Sequence, residues 1–166
     1  MSAAYELVPL VGRTPPDMVD DLVDVWAAIN DAPLDDLQAA PDDLSAARLH
    51  AFDSAMVARG QAVYRFLARR RDDGAWAGHT VVCVDRHRPG VAFQEDTTVV
   101  ASHRGHRLGI RLKTAMLQWL REAEPGLTTI DTWNAVSNSH MIAVNNAIGC
   151  RVVHHGIVWQ TYTERR

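Results

Sequence analysis

The sequence predicts an α+β fold, a mixed α/β layered domain whose helices cover a central, mostly antiparallel twisted sheet. Three observations point to it. Apolar residues recur at helical spacing in some segments and in β-branched, partly alternating runs in others, so both kinds of element are present. The three strand-like runs in the middle of the chain are joined by turns too short for a crossover, which makes them an antiparallel meander. A long amphipathic helix precedes the next strand-like run, and helices interleaved with strands must bury their apolar stripes on the sheet.

The elements follow in chain order. Residues 5–11 read as a first strand. Thr14-Pro15-Pro16-Asp17 reads as a helix start, with threonine as cap, proline in the first turn and the aspartate completing a capping-box-like pattern. Met18, Leu22, Val25 and Ile29 then share one face, and Asp31-Ala32-Pro33 ends the helix. A second helix is expected over 42–58, with Leu44, Leu49, Phe52 and Met56 as a looser apolar face and Gly60 as its stop. Strands follow over 63–69, 75–84 and 91–100, separated by a charged turn at 70–74 and a Pro-Gly turn at 85–90. Leu108, Leu112, Met116, Trp119 and Leu120 mark the buried face of the long helix, which Pro125-Gly126 ends. Residues 128–133 make a fifth strand. Ser137 or Asn138 caps a short helix carrying Met141, Val144 and Ile148, Gly149 closes it, and residues 151–163 read as the last strand or two.

A chain of 166 residues with 47% hydrophobic and 22% charged residues suits one soluble domain, expected over 1–166. The net charge of −3 offers no general attraction to nucleic acid or to an anionic membrane. No apolar run approaches a membrane span, and the first residues lack the basic and apolar regions of a secretion signal, so a cytoplasmic location is expected. Cys83 and Cys150 are too few and too distant for a disulfide framework and read as buried thiols. His103 and His106 have a spacing that suits a metal, but no cysteine or carboxylate completes a ligand set, and no metal is expected. Trp26 and Trp119 read as core, and Trp133 and Trp159 as lining or packing near a cleft.

The most informative segment runs from Thr97 to Ile110, a strand, a loop with Gly105 and Gly109, then an amphipathic helix. A helix N-terminus presents unpaired N–H groups and partial positive charge, which suit a phosphate. Gly105 allows close approach of a ligand, and Arg104, Arg107 and Arg111 add cationic charge. A pyrophosphate-bearing ligand fits such a loop. The segment is neither a P-loop nor a GxGxxG fingerprint.

This segment resembles the acetyl-CoA loop of the GNAT (GCN5-related N-acetyltransferase) superfamily, whose pattern is Gln/Arg-x-x-Gly-x-Gly/Ala. Arg104 and Gly109 match its ends, and Arg107 stands where the middle glycine is usual. That departure is expected to be accommodated by a helical conformation at Arg107 with its side chain in solvent. Glu95-Asp96-Thr97, His103 to Gly109, Asp131-Thr132-Trp133-Asn134-Ala135, and Asn145 with Gly149 resemble actinobacterial members, and the chain is similar to the second domain of tandem ones. The resemblance implies the GNAT acyl-CoA N-acyltransferase fold and acetyl-CoA as co-substrate. It implies that the strand before the loop splays from its neighbour. Backbone groups of Thr97, Thr98 and Val99 would then bind the acetyl and pantetheine parts. The Arg104-Gly105-His106-Arg107-Leu108-Gly109-Ile110 run would hold the pyrophosphate, and Asn138 would contact the cofactor arm. It also implies an amine of a small molecule or a protein as acceptor, and the homodimers that family members often form, sometimes by exchanging C-terminal strands.

Direct acetyl transfer needs a base for the amine, a donor to the carbonyl and a proton for the thiolate. Glu95 and Asp96 are the candidate bases, and a carboxylate beside an apolar cleft has its pKa raised toward neutrality. Neighbours on a strand point to opposite faces, so at most one of them faces the cleft, and the resemblance favours Asp96. Asp131 is a third candidate with a structural role as its alternative. Many members place a tyrosine acid on the last short helix; here Asn145 stands there, and an amide donates a hydrogen bond but delivers no proton. Either another group protonates the thiolate, with His140 as one candidate, or it leaves unassisted. A catalytically silent CoA-binding module, used for sensing or assembly, is the alternative function. Asp20, Asp21, Asp35 and Asp36 suit a cationic amine or simply a solvated acidic face.

Overall fold

The computed structural model describes residues 4–161. They form β1 (Tyr5–Val11), α1 (Val19–Ala27), α2 (Ala46–Ala58), β2 (Gln61–Arg70), β3 (Trp76–Asp85), β4 (Val91–Val99), α3 (Leu108–Ala123), β5 (Thr129–Asp131) and α4 (Ser139–Ala147). Short 3-10 turns lie at Pro16–Met18, Ala28–Asp31 and Ala101–His103. The sheet order is β1-β2-β3-β4-β5, antiparallel except for the parallel β4–β5 pair that α3 connects. The expected mixed α+β layers are therefore present.

Strand alternation decides which layer each residue joins. Val63 and Leu67 of β2 and Val81 and Cys83 of β3 face α1 and α2, where they meet Val19, Leu22, Leu49 and Met56. Tyr64, Val82, Val84 and Ala92 face the other way, onto Met116 and Leu120 of α3, with Leu108 and Leu112 against Tyr5, Ala68 and Ala77 farther along. Trp26 and Trp119 are partly buried and pack against these clusters, as their reading as core residues requires. Cys83 is buried, and burial pushes its thiol up to about 12, so it is an inert core residue.

Two departures from regular pairing shape the site. Thr80 pairs with Thr97 and Val82 with Gln94, so Glu95 and Asp96 together oppose the one residue between them on β3. This is a β-bulge, and it re-aims β4 near the loop. Meanwhile β5 pairs only with Val91–Phe93, so β4 runs on beyond β5 and the two strands leave a fork. Gly78 permits the close pairing beyond the bulge: a Cβ there would lie 2.4 Å from the Thr98 carbonyl oxygen. Gly78→Ala is expected to destabilise the fold by about 1–3 kcal/mol, checked by urea unfolding.

Several boundaries differ from the sequence reading. Thr14 does not cap: its N–H donates to Asp53 Oδ2 at 2.7 Å, and the following 3-10 turn has Pro15 at its start and no side-chain cap. α2 begins at Ala46 rather than near 42, because Ser45 Oγ accepts from the Arg48 N–H. β5 is three residues long. Residues 151–161 form no strand and lie exposed, with no ladder partner among the described residues; Tyr162 and Thr163, at the end of that expected strand, lie outside the described residues.

Candidate active site

The loop from Val99 to α3 turns on three backbone choices. The 3-10 turn Ala101–His103 ends β4; Gly105 takes φ 82° and Arg107 takes φ 56° with ψ 28°. Arg107 is thus left-handed, which corrects the expectation of a simple helical continuation and explains why glycine is usual at this place in the family pattern. Its side chain is exposed, as expected. No side chain among the described residues caps α3, so the amides at its first turn remain available to an anion. A Cβ on Gly105 or on Gly109 would meet nothing within 4 Å, so neither glycine is required by packing in the chain itself.

The surrounding side chains hold this loop in place. Arg104 donates from Nε to the Val99 carbonyl at 3.0 Å and pairs with Asp31, so its role is to fix the loop on the 28–31 turn. Arg111 Nη1 donates to the Tyr5 carbonyl at 3.0 Å. His103 is buried with Nδ1 3.0 Å from the Tyr5 hydroxyl, and the His106 ring lies tilted against the same tyrosine. Burial, aided by Arg70, lowers the His103 pKa.

On the α1/α2 face the bulge turns Asp96 inward and leaves Glu95 exposed, so only one of the two faces the cleft. Asp96 Oδ1 lies 2.8 Å from His79 Nε2 without hydrogen-bond alignment, and His79 Nδ1 has no partner either among the described residues. Burial pushes the Asp96 carboxyl up, but His79, Arg65 and the Trp26 indole outweigh it, and the net direction is downward. The expected upward shift is instead found at Glu95, through partial desolvation and the neighbouring Asp96 charge. Asp96 is therefore the inward carboxyl, with its pKa lowered, and Glu95 the exposed one, with its pKa raised. A small pocket sits over this pair, walled by Leu22, Trp26 and Phe52 from the helices and by Arg65, His79 and Asp96 from the sheet.

Behind the cavity, Arg65 Nη2 donates to Asp53 Oδ1 at 2.6 Å and its Nη1 donates to the Gly12 carbonyl at 3.0 Å, with both charged side chains 2% exposed. His79, Arg65 and Asp53 were not singled out from sequence. The signal was present: Arg65 interrupts the inward series Val63, Leu67, and His79 heads the inward series Val81, Cys83. A charged or polar residue in a core-facing register is held there by a partner or a ligand.

On the α3 face, a second small cavity lies at the fork, walled by Val82, Gln94, Lys113, Met116, Ile130 and Cys150 among others. Gln94 ties the bulge together, donating to the Val81 and Asp96 carbonyls at 2.6 and 2.9 Å. Thr97 Oγ1 meets Thr80 Oγ1 at 2.8 Å, and Thr98 Oγ1 donates to the Val25 carbonyl at 3.0 Å. Asn145 is buried with its Oδ1 unpaired among the described residues, whereas Asn138 caps α4 by accepting from the Met141 N–H at 3.1 Å. His140 and Asp131 are exposed. Trp133 is 72% and Trp159 89% exposed; Trp133 packs edge-on against His154, so neither lines a cleft. Asp35, φ 52°, accepts from the Val136 and Ser137 N–H groups at 2.9 Å each, which ties the 32–45 segment to the start of α4 and uses its charge locally. No helix among the described residues is long and apolar enough to cross a membrane.

A meander, a bulged fourth strand, a forked parallel fifth and an uncapped helix after the loop define an acyl-CoA-type transferase fold. Residues 25–147 match the Acetyltransferase (GNAT) family, and the chain belongs to that family. A solved tandem GNAT protein from the clavulanic acid biosynthesis pathway is 35% identical over 90% of this chain, with a TM-score of 0.72. This chain spans only 42% of that protein's length. An acetyltransferase from Trypanosoma brucei (14% identity, 94% and 100% of the two chains, TM-score 0.66) has the same fold. So does the aminoglycoside N-acetyltransferase AAC(6')-Iy solved with CoA (14% identity, 97% and 98%, TM-score 0.66). No curated protein matches the sequence.

Proposed function

We propose that this chain is an acetyl-CoA-dependent N-acetyltransferase that passes the acetyl group directly to a primary amine of a small molecule or a protein. The uncapped α3 N-terminus, with open space over Gly105 and Gly109, is the observation that carries this reading. Amides of the 104–110 loop bind the pyrophosphate, and Thr97, Thr98 and Val99 line the fork where β4 has no partner from β5, leaving backbone groups for the pantetheine and acetyl parts. The first test is calorimetry with acetyl-CoA, where binding is expected and its absence overturns the reading.

The acceptor amine enters over the α1/α2-face cavity, where Asp96 orients it and the Asp96–His79 pair takes its proton. Asp96 Oδ1 lies 2.8 Å from His79 Nε2, and the imidazole in its neutral form accepts the proton. Glu95, exposed at the rim, is the alternative base. Asp96→Asn and His79→Gln are each expected to lower kcat about 100-fold or more while leaving acetyl-CoA affinity within about threefold, measured by thiol release over an amine panel.

Asn145 favours a second reading, a silent module that binds CoA without turnover, because it occupies the usual acid position and delivers no proton. Binding of acetyl-CoA together with a flat thiol-release assay across the panel is the result that selects it. The chain acts as one cytoplasmic domain over 1–166 in either reading. A homodimer fits the exposed Val152, Val153, Ile157, Val158 and Trp159, and sedimentation tests it.

A further inference from the structure

The chain contains one lysine among its 17 basic residues, and it is buried. Lys113 is 4% exposed on the inner face of α3, beside Leu112 and Met116, and points into the fork cavity. The side chains around it come from every neighbouring element. β3 gives Val82, β4 gives Gln94, β5 gives Ile130, and Thr132, Ile148 and Cys150 complete the far wall. None is an anion in its ordinary state, and Cys150 alone of them titrates. Burial lowers the Lys113 pKa, with Cys150 as the weak opposing influence. A buried lysine with no anionic partner among the described residues is costly to hold, and on a helix face that otherwise carries leucine and methionine it has no packing advantage.

Its position gives it a use. Gln94 directly follows the last β4 residue paired with β5, and Thr132 directly follows the last residue of β5, so the cavity opens at the fork. Asp96 and His79 line a cavity on the opposite side of the sheet. A thioester lying in the fork has an amine approaching from one face and its sulfur facing the other.

Resting on the acetyl-CoA reading above, we propose that Lys113 is the catalytic acid, the group that holds and protonates the departing CoA thiolate. As the amine nitrogen bonds to the carbonyl carbon, the carbon–sulfur bond breaks and its electron pair goes to sulfur. A proton from Lys113 Nζ follows to that sulfur. The proton lost by the amine goes to the Asp96–His79 pair and then to water, and Lys113 regains a proton from water, so the cycle closes. The task that Asn145 leaves undone is thereby done from α3.

The test needs no acceptor. A cation beside the sulfur stabilises the bound thiolate, which lowers the bound thiol's pKa and makes CoA bind more tightly as pH rises, whereas acetyl-CoA has no thiol to ionise. Calorimetry with CoA and acetyl-CoA between pH 6.5 and 8.5 should show the affinity ratio, CoA over acetyl-CoA, rising about tenfold in the wild type. Subtracting acetyl-CoA removes the titration of Cys150 and of the rest of the chain. Lys113→Met should flatten the ratio while keeping acetyl-CoA affinity and thermal stability, and Lys113→Arg should retain part of the rise. A flat ratio in the wild type, or an unchanged rise in Lys113→Met, overturns the proposal and leaves the acetyltransferase reading standing. No binding of either ligand overturns that reading instead. The wild-type measurement decides even if Lys113→Met fails to fold.

Discussion

Gly109→Trp is expected to abolish CoA binding, with at least a 100-fold loss of affinity by calorimetry, and to leave the melting temperature close to wild type. A Cβ at Gly109 meets nothing within 4 Å, so the fold has room for the substituent, while the indole would cover the first-turn amides of α3. Those amides provide charge-assisted hydrogen bonds that solvent replaces poorly at a shaped site. Gly105 has the same open space but also φ 82°, so its replacement combines strain with occlusion and separates the two effects less cleanly. Retained affinity in Gly109→Trp would remove the loop from the site.

The largest loss of stability is expected from Asp53→Ala. It leaves Arg65 buried without its 2.6 Å partner and the Thr14 N–H without its acceptor. Removing one member of such a pair costs about 3–5 kcal/mol, which for a chain of this size corresponds to roughly 10–15 °C in melting temperature. The double replacement Asp53→Leu with Arg65→Met removes both charges and should recover most of that loss, short of the unpaired Thr14 N–H. Scanning calorimetry on the three proteins checks both statements. A single mutant as stable as the wild type would mean that water reaches Arg65.

The sheet and α3 were legible because their periods are unambiguous. Val81, Val82, Val84 and their neighbours admit a buried strand, and Leu108, Leu112, Met116 and Leu120 admit one helical face. The loop was legible from Arg104 and Gly109, but the left-handed turn at Arg107 was not, since side-chain identity at that position argues against it. The bulge was hidden as well: Gln94 closes it by reaching carbonyls across the strand, and no local propensity encodes such a contact. The pKa directions of the two carboxyls were hidden for a related reason. Whether Glu95 or Asp96 turns inward depends on the bulge, and the downward shift of Asp96 depends on His79, 17 positions earlier. Residues 151–161 are rich in β-formers, yet a strand exists only when a neighbour supplies its ladder, and propensity alone supplies none.

The parallel pairing of β5 with β4 sets an order of assembly. β2, β3 and β4 are consecutive hairpin partners, so their contacts close short loops and can form early. The β4–β5 ladder spans only Val91–Phe93 against Thr129–Asp131 and must wait for the whole crossover through α3. The fork is then the last part to consolidate and the first to open. Native-state hydrogen exchange should find β5 amides exchanging well before those of β3, with CoA slowing the former selectively. Ligand capture in this chain would thus double as the final clasp of its folding reaction.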